Sequence, residues 1–529
     1  AGSSTINIGS AGTYAEKATF DSFHPNGAFT VTTRSYYNST VNSFTDVAII
    51  TQASCTGCSA TNNHPETTRT TFTDTGASFG VADTQNNRWF VITAGTGYDS
   101  VNDDRNWFPI ERNDSGTVLW ITGQWRAGTP DTTTNYKVFD PANAATITGS
   151  NTREQAMLVK GSEGIKIRHM RFTGATRDGL MICCGTNIDS FPNPIHQYSD
   201  TTCCKGSDIF AVVTFNNNNA ATFPRGLTVD ASHIGVIQTH ISYGNYAQGV
   251  VIVSGATVTH YNHFLLRDNT TDAGIVCYDE SEIGHLVNGT SRDNDQYFGF
   301  DFEFGCSTFG FGLNLSFSNG LSGMGIGNVA SVGIFQKSVF DSNVQSGIYV
   351  FMGGVLSYFT VPVADIKVTN NSHYGVVSLL NSSCQDCDDF TNTGNTLGTF
   401  LFDGRSTLGG GLRDGYVFMP FSTGSGAVFT AANGTNNDAA IGQAGFIRVT
   451  GPTTSFTITG FASGSVGRVL IIYNLSGFDM TITHEGATSA AANRIITSDG
   501  LNKTTAVNGM ATFIYSTADS RWLLLAFQS

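Results

Sequence analysis

The chain has few charged residues and little proline, and it has no long apolar run. Charged residues make up 13% of its 529 residues, 11 residues are proline, and lysine and arginine form no cluster. The net charge of −14 argues against nucleic acid or an anionic membrane surface as a partner. Because no apolar run reaches the length of a membrane span, we expect no membrane insertion.

Windows with apolar residues at helical spacing are almost absent as well. Short apolar runs such as GVVIV, GIVCY and TFLF recur instead between clusters of glycine and asparagine, and glycine occurs 60 times. This pattern is typical of an all-β protein. No nucleotide-binding loop, serine-hydrolase elbow or zinc-protease helix is present in the sequence, which therefore predicts no cofactor.

An internal repeat of about 24 residues runs through the middle of the chain. Its clearest marks are glycines that precede an apolar run, at Gly226, Gly249, Gly274, Gly299, Gly325, Gly347, Gly375 and Gly398. A unit of this length with short strands and an asparagine turn, which tolerates a left-handed backbone, matches one turn of a parallel β-helix. Leucine-rich repeats share the period but not the L-x-x-L-x-L register. The sequence predicts a right-handed parallel β-helix over residues 146–405.

Three regions flank the predicted β-helix. Residues 1–145 are expected to form a β-rich region that caps the first turn, because an uncovered end would leave backbone groups unpaired. Residues 406–440 contain a glycine run and predict a linker. Residues 441–529 predict a C-terminal β-domain of sandwich-like form.

The second position after each repeat glycine is expected to point outward, yet it is mostly apolar. This row reads Val251, Val276, Asp301, Gly327, Tyr349, Val377 and Phe400. An outward apolar row is usually covered by another part of the chain or by another subunit. Asp301 and Gly327 interrupt the row and predict a notch in it.

The last 85 residues contain GRVLIIYNLSGFDMTITHEG, then ANRI and a closing RW pair. These elements resemble a small β-domain that recurs at the C-termini of bacteriophage tailspikes and tail fibres, whose shafts share the predicted architecture. The resemblance implies a homotrimer in the virion, an extracellular particle. It also implies that the shaft binds a host surface polysaccharide, that the N-terminal region contacts other virion proteins, and that the C-terminal domain serves trimerisation or receptor contact.

The stretch FGFDFEFG places two carboxylates, Asp301 and Glu303, at alternate positions of a strand, where they are expected to share one face. Asp279 lies 22 residues before Asp301, about one turn below. Glycoside cleavage needs two carboxyl groups, so these three acids are candidate catalytic residues. Tyr278 and Tyr349 are candidates for stacking against sugars. The plainer interpretation is that the acids face solvent and the tyrosines pack on the outer surface.

The cysteine pairs Cys183/Cys184 and Cys203/Cys204 bracket a segment that resembles an insertion between turns. Two disulfides at its base are expected, and a zinc site that uses His196 is the alternative.

His260 and His285 are 25 residues apart and are expected to stack in neighbouring turns. Without a third ligand at clear spacing they favour a surface ladder, and no metal site is predicted.

The sequence thus predicts a viral tailspike or fibre that binds a host glycan, and it leaves cleavage of that glycan, by a hydrolase or a lyase, open. Two alternatives remain: a structural or adhesion fibre without activity, and a secreted polysaccharide-degrading enzyme.

Overall fold

The computed structural model describes residues 4–8, 13–14, 18–21, 29–33, 48–52, 55, 57–65, 69–183, 204–333, 335–357, 366–384, 387, 390–402, 407–408, 427–441, 445–462, 464, 468–516 and 518–528. It forms two compact units, Ala1–Gly411 and Leu412–Ser529. Within these described ranges no helix is long and apolar enough to cross a membrane. Short 3₁₀ helices lie at Asp103–Asn106, Pro141–Asn143 and Ala491–Asn493.

Most strands of the first unit coil into a parallel β-helix, so the predicted fold class is confirmed. A complete turn contributes one strand to an 11-stranded sheet, called here the first sheet. The strands of the first sheet are Ala18–Asp21, Gln155–Lys160, Asp178–Cys183, Arg225–Asp230, Val250–Val253, Ile275–Cys277, Phe300–Phe302, Met324–Ile326, Ile348–Phe351, Tyr374–Leu379 and Gly398–Phe402.

The same turns contribute to a 22-stranded second sheet with two strand columns. The first column is Ser4–Ile8, Phe29–Thr33, His233–Gln238, Thr257–Asn262, Glu282–Val287, Ser307–Gly312, Ser331–Val332, Phe335–Gln336, Val355–Leu356, Ser383–Cys384 and Thr407–Leu408. The second column is Thr13–Tyr14, Ala145–Thr148, Ile241–Tyr243, Leu265–Arg267, Thr290–Arg292, Leu315–Phe317, Val339–Asp341, Lys367–Thr369 and Thr391–Thr393, and the long strands Ile165–Thr173 and Lys205–Phe215 span both. A corner residue with left-handed backbone, such as His263, separates the columns.

The β-helix begins near the N-terminus rather than at residue 146. Ser4–Ile8 pairs in parallel with Phe29–Thr33, which pairs in turn with Ile165–Thr173. Ala18–Asp21 likewise pairs with Gln155–Lys160. The repeat pattern missed these turns because a separate sheet lies between them in the chain.

That separate sheet has seven antiparallel strands, Ala48–Gln52, Cys58–Ala60, Thr70–Asp74, Trp89–Ala94, Trp107–Ser115, Val118–Ile121 and Asn135–Phe139. It packs on the side of the β-helix: Trp89 and Trp107 share a buried cluster with Phe210. The buried Glu111 accepts from Arg69 at 3.3 Å and from Arg292 of the β-helix at 2.9 Å. The region therefore covers several turns along one side, where the sequence predicted a cap over the first turn.

A ladder of asparagines, all buried except the half-buried Asn395, follows one inner edge of the β-helix. It consists of Asn217, Asn245, Asn269, Asn294, Asn319, Asn343, Asn371 and Asn395. Each Nδ2 donates to the Oδ1 of the next asparagine at 2.8 to 3.2 Å. The left-handed residues stand one position earlier, at Asp268, Asp293 and Ser318. The repeated asparagines thus serve hydrogen bonding between turns rather than the backbone conformation that the sequence suggested.

The register near the centre of the first sheet differs from the predicted one. Asp301 pairs with Gly325 and not with Gly327. The reason is that Gly323, rather than Gly325, stacks on Gly299, where an added Cβ would lie 2.7 Å from the Gly323 carbonyl oxygen. The side-chain face of Asp301 is unchanged, because the shift is two residues.

The outward row of the first sheet is Val251, Val276, Asp301, Gly325, Tyr349, Val377 and Leu401. Val251, Val276 and Val377 are at most 3% exposed within the single chain. Phe400, predicted in this row, packs against the core instead. Of the two covers that the sequence allowed, another part of the chain or another subunit, the first therefore applies to these three valines, because they are buried within the single chain.

The second unit contains two sheets around one apolar core. The larger sheet comprises Ala427–Thr430, Phe446–Thr450, Val469–Asn474, Met510–Ser516, Arg521–Phe527 and Ile495–Ile496; the smaller comprises Gly434–Asn436, Phe456–Ile458, Met480–Ile482 and Lys503–Thr505. Its strands begin at Ala427, inside the segment 406–440 that was predicted as linker. The first three strands of each sheet are parallel. Met510–Ser516 pairs antiparallel with both of its neighbours, and Lys503–Thr505 pairs antiparallel with Met480–Ile482, whereas Ile495–Ile496 pairs in parallel with Arg521–Phe527.

The cysteines pair differently from the prediction. Disulfides join Cys55 to Cys58, Cys277 to Cys306 and Cys384 to Cys387.

Cys183 and Cys204 are buried free thiols, so their expected disulfides are not formed. The Cys204 Sγ donates to the Cys183 carbonyl oxygen at 3.2 Å, and burial raises the pKa of both thiols. Cys184, Cys203 and His196 lie outside the described residues.

Candidate functional site

The site is built on the strand Phe300–Phe302 of the first sheet. Phe300 and Phe302 point into the core, and Asp301 points to the outer face between Val276 of one neighbouring strand and Gly325 of the other. Alternation along the strand therefore places the carboxyl group outside, as the sequence predicted. Glu303 follows the strand and is half-buried.

Aromatic side chains cover this part of the outer face. Tyr278, Tyr297, Phe298 and Tyr349, called here the aromatic patch, pack together with Val276. The rings of Phe298 and Tyr349 are stacked with centroids 6.5 Å apart.

Gly325 allows the Phe298 ring to lie over the strand. A Cβ at this position would stand 2.8 Å from the ring. The absence of a side chain next to Asp301 is therefore what lets an aromatic ring close over the site.

Asp301 is fully buried in this apolar surrounding. Among the described residues, neither of its carboxyl oxygens has a hydrogen-bond partner. Burial, and then the charges of Glu303 and Asp272, raise the pKa of Asp301 well above its ordinary value of 3.8. Its surroundings therefore favour the neutral form of this acid. A buried polar group without a partner costs free energy, and such groups concentrate at functional sites.

Two further carboxyl groups lie within electrostatic reach. Burial raises the pKa of Glu303, although the Asn328 Nδ2, which donates to its Oε2 at 3.2 Å, opposes the rise. Burial also raises the pKa of Asp272, whose Oδ1 accepts from the Ala273 amide at 2.7 Å. Three carboxyl groups with raised pKa thus share one region of the outer face.

The structure brings four of the five predicted site residues together and leaves the fifth outside the site. Asp301, Glu303, Tyr278 and Tyr349 come together in this region. Asp279 lies in an exposed turn with a left-handed backbone, and it is not among the groups whose charge acts on Asp301.

Asp272 was missed by the sequence reasoning, because it precedes the strand Ile275–Cys277 in a turn and so fell outside the strand register. The sequence does contain one signal for Asp272, which lies 24 residues, or one repeat, after Gln248. In the structure the Gln248 Nε2 donates to the Asp272 Oδ2.

The histidine pair predicted to stack does so. The rings of His260 and His285 are 5.0 Å apart and 10° from parallel. In the described part of the chain, Cys55, Cys58 and Asp74 are the one group of three side chains spaced like metal ligands, and its cysteines are joined in a disulfide.

Comparison with known proteins finds no matching family model and no matching curated protein. Among solved structures, the tailspike protein gp49 of Pseudomonas phage LKA1 is similar over 88% of this chain and 77% of its own, at 10% identity and a TM-score of 0.24. The Gp54 tailspike of Acinetobacter baumannii bacteriophage AP22, solved with a capsular saccharide, covers 90% of this chain and 74% of its own, at 9% identity and a TM-score of 0.19. The catalytic domain of a GH87 α-1,3-glucanase covers 68% of this chain and 86% of its own, at 9% identity and a TM-score of 0.21.

Proposed function

We propose that this chain is a viral tailspike or fibre protein that binds a host surface polysaccharide on the outer face of its first sheet. One observation carries the proposal: a buried acid without a partner, Asp301, lies beneath the aromatic patch and beside Asp272 and Glu303. Aromatic faces stack against the apolar faces of sugar rings, and carboxyl groups bond sugar hydroxyls, so this combination suits a glycan.

Mutation of the patch tests this proposal against a panel of bacterial surface polysaccharides. Tyr297→Ala with Tyr349→Ala should weaken binding about tenfold or more, because stacking area is lost from both sides of the site. Phe309→Ala is the matched control, since Phe309 is 59% exposed on the second sheet. Equal binding by the double variant and the control would contradict the proposal.

Cleavage of the bound glycan is a second candidate function, favoured by the different environments of the two acids. Full burial favours the neutral form of Asp301, the form that a general acid needs, while Glu303 is half-buried and partnered by Asn328. In this proposal the third carboxyl group of the site is Asp272, whereas the sequence predicted Asp279. Because Asp301 is fully buried and the Phe298 ring lies over the neighbouring Gly325, a sugar must displace a covering side chain before it contacts the acid.

The products distinguish the classes of reaction. A hydrolase releases reducing ends alone, whereas a lyase also generates unsaturated sugars that absorb in the ultraviolet. A wild-type protein that binds a glycan and yields neither product is a binding fibre without activity.

We also propose that the chain assembles as a homotrimer. Support comes from an exposed apolar ridge formed by Phe304, Val329, Met352 and Leu380, each between 47% and 75% exposed. All four have left-handed backbone, with φ between 48° and 67°. Strained and exposed apolar residues in four successive turns suit a contact with another copy. Light scattering that finds a stable monomer at micromolar concentration would refute this.

From the resemblance at residues 445–529 we further propose that the C-terminal unit serves trimerisation or receptor contact, and that the N-terminal region meets other virion proteins in the particle. A secreted enzyme that acts as a monomer is the alternative, and the same light-scattering measurement separates the two.

A further inference from the structure

A groove of about 660 Å³ lies along the start of the first-sheet strands, toward the N-terminal turns from the aromatic patch. It spans five successive turns, a length of about 19 Å at the usual spacing between strands. Its lining includes Arg177, Phe223, Arg225, Gln248 and Asp272. Asp272 belongs to both the groove and the carboxyl region around Asp301, so the two surfaces are continuous.

Arg225 supplies an available positive charge in this groove. Among the described residues its guanidinium has no hydrogen bond and no ion pair. The charge acts on Asp272 and lowers its pKa against the larger effect of burial. Arg177 is different, because it forms ion pairs with Glu154 at 3.7 Å and Asp178 at 3.5 Å.

Gln248 supplies an unused hydrogen-bond acceptor. Its side chain is 8% exposed, and its Oε1 has no partner in the described structure. The Nε2 of the same amide donates to Asp272, which fixes the orientation of the amide and leaves Oε1 as the free end. A buried carbonyl oxygen without a donor is expected to receive one from a ligand.

Phe223 supplies an aromatic face. It is 58% exposed, has a left-handed backbone with φ of 51°, and rests edge-on against Tyr246 at 5.6 Å between centroids. A strained and exposed aromatic residue is unfavourable in the free chain, and a stacked ligand would remove its contact with water.

We propose that this groove binds an acidic sugar of the polysaccharide: a uronate whose carboxylate pairs with Arg225, whose ring stacks on Phe223 and whose hydroxyls bond Gln248 and Asp272. One guanidinium among hydrogen-bond acceptors fits a single carboxylate on a hydroxylated ring. A free phosphate fits less well, because it carries more negative charge than a uronate beside Glu154 and Asp272 and has no ring to stack on Phe223. This inference rests on the proposed glycan binding and specifies the charge of the glycan.

Ligand-observed NMR of the full chain tests the charge directly with small probes. Glucuronate and galacturonate should bind the wild type, whereas glucuronamide and glucose, which lack the charge, should bind about tenfold more weakly or not at all. Arg225→Gln should reduce uronate binding to the level of the amide. Arg448→Gln, at an exposed position of the strand Phe446–Thr450, is the matched control and should bind uronate as the wild type does.

The outcomes separate this inference from the proposed function. Equal binding of uronate and amide, or uronate binding unchanged in Arg225→Gln, overturns the acidic subsite. Inorganic phosphate that competes more strongly than uronate also overturns it in favour of a simple anion site. Loss of polysaccharide binding in the Tyr297→Ala, Tyr349→Ala variant concerns the aromatic patch alone, so the two failures are distinct.

Discussion

Replacing Asp301 by asparagine should make the protein more stable than wild type, by an amount that grows with pH. Asparagine has the shape of the neutral acid and cannot ionise. In the unfolded chain Asp301 has an ordinary pKa of about 3.9, whereas burial raises the pKa in the folded chain. Below the unfolded pKa both states hold the proton, and wild type and variant should match. As pH rises above it, only the unfolded wild type loses the proton, so the wild type is destabilised until the pH passes the folded pKa.

The expected slope follows from these two pKa values. One group contributes about 1.4 kcal/mol per pH unit between its unfolded and folded pKa. An unfolding entropy of about 2.1 cal/mol/K per residue, over a unit of about 400 residues, converts this to roughly 1.7 °C in midpoint per pH unit. The assay is scanning calorimetry of both proteins at one scan rate from about pH 4 to about pH 8, the range in which carboxyl groups of ordinary and raised pKa titrate.

The matched control is Asp279→Asn, which changes an exposed acid in the neighbouring turn. The difference between the unfolding midpoints of this control and the wild type should stay constant as the pH changes, because the Asp279 side chain is exposed. A midpoint difference between Asp301→Asn and wild type that does not change with pH would refute the reasoning. It would mean that the buried carboxyl group ionises in the folded chain as it does in the unfolded one.

Three further predictions follow from particular contacts. Glu303→Gln should lower glycan cleavage about 100-fold or more and leave binding intact, as measured by product release beside a binding assay; unchanged cleavage contradicts its catalytic role. Asn294→Ala should destabilise the β-helix by about 3 kcal/mol, because ladder donors and acceptors on both sides lose their partner, and a denaturation midpoint equal to wild type contradicts this. Cys183 and Cys204 should both be alkylated after unfolding without reductant, and their recovery in disulfides by mass spectrometry contradicts the structure.

The sequence could predict the β-helix because each turn repeats locally, with a glycine and an asparagine at nearly fixed steps. It could not locate the turns at residues 4–33, since a seven-stranded sheet separates them from the strands they pair with. The register slipped at GLSGMGIG because this segment offers glycines at both Gly323 and Gly325, and only stacking on Gly299 distinguishes them.

The sequence could predict on which face of the strand Asp301 lies, but it could not predict how deeply its side chain is buried. Alternation along FGFDFEFG places Asp301 on the outer face, which the structure shows. Its full burial depends on Phe298 folding back over Gly325, a contact between two turns that no local pattern encodes. Asp272 stands in a turn, where neither strand alternation nor the glycine step fixes the side-chain direction.

Hydrogen exchange with and without bound polysaccharide tests the central claim most directly. The glycan for this measurement is the panel member that the wild type binds. The account predicts slower exchange in residues 272–278 and 297–303, where the aromatic patch and the three acids lie. Protection confined to residues 427–528, with none on the first sheet, would contradict it, because the glycan would then bind the C-terminal unit.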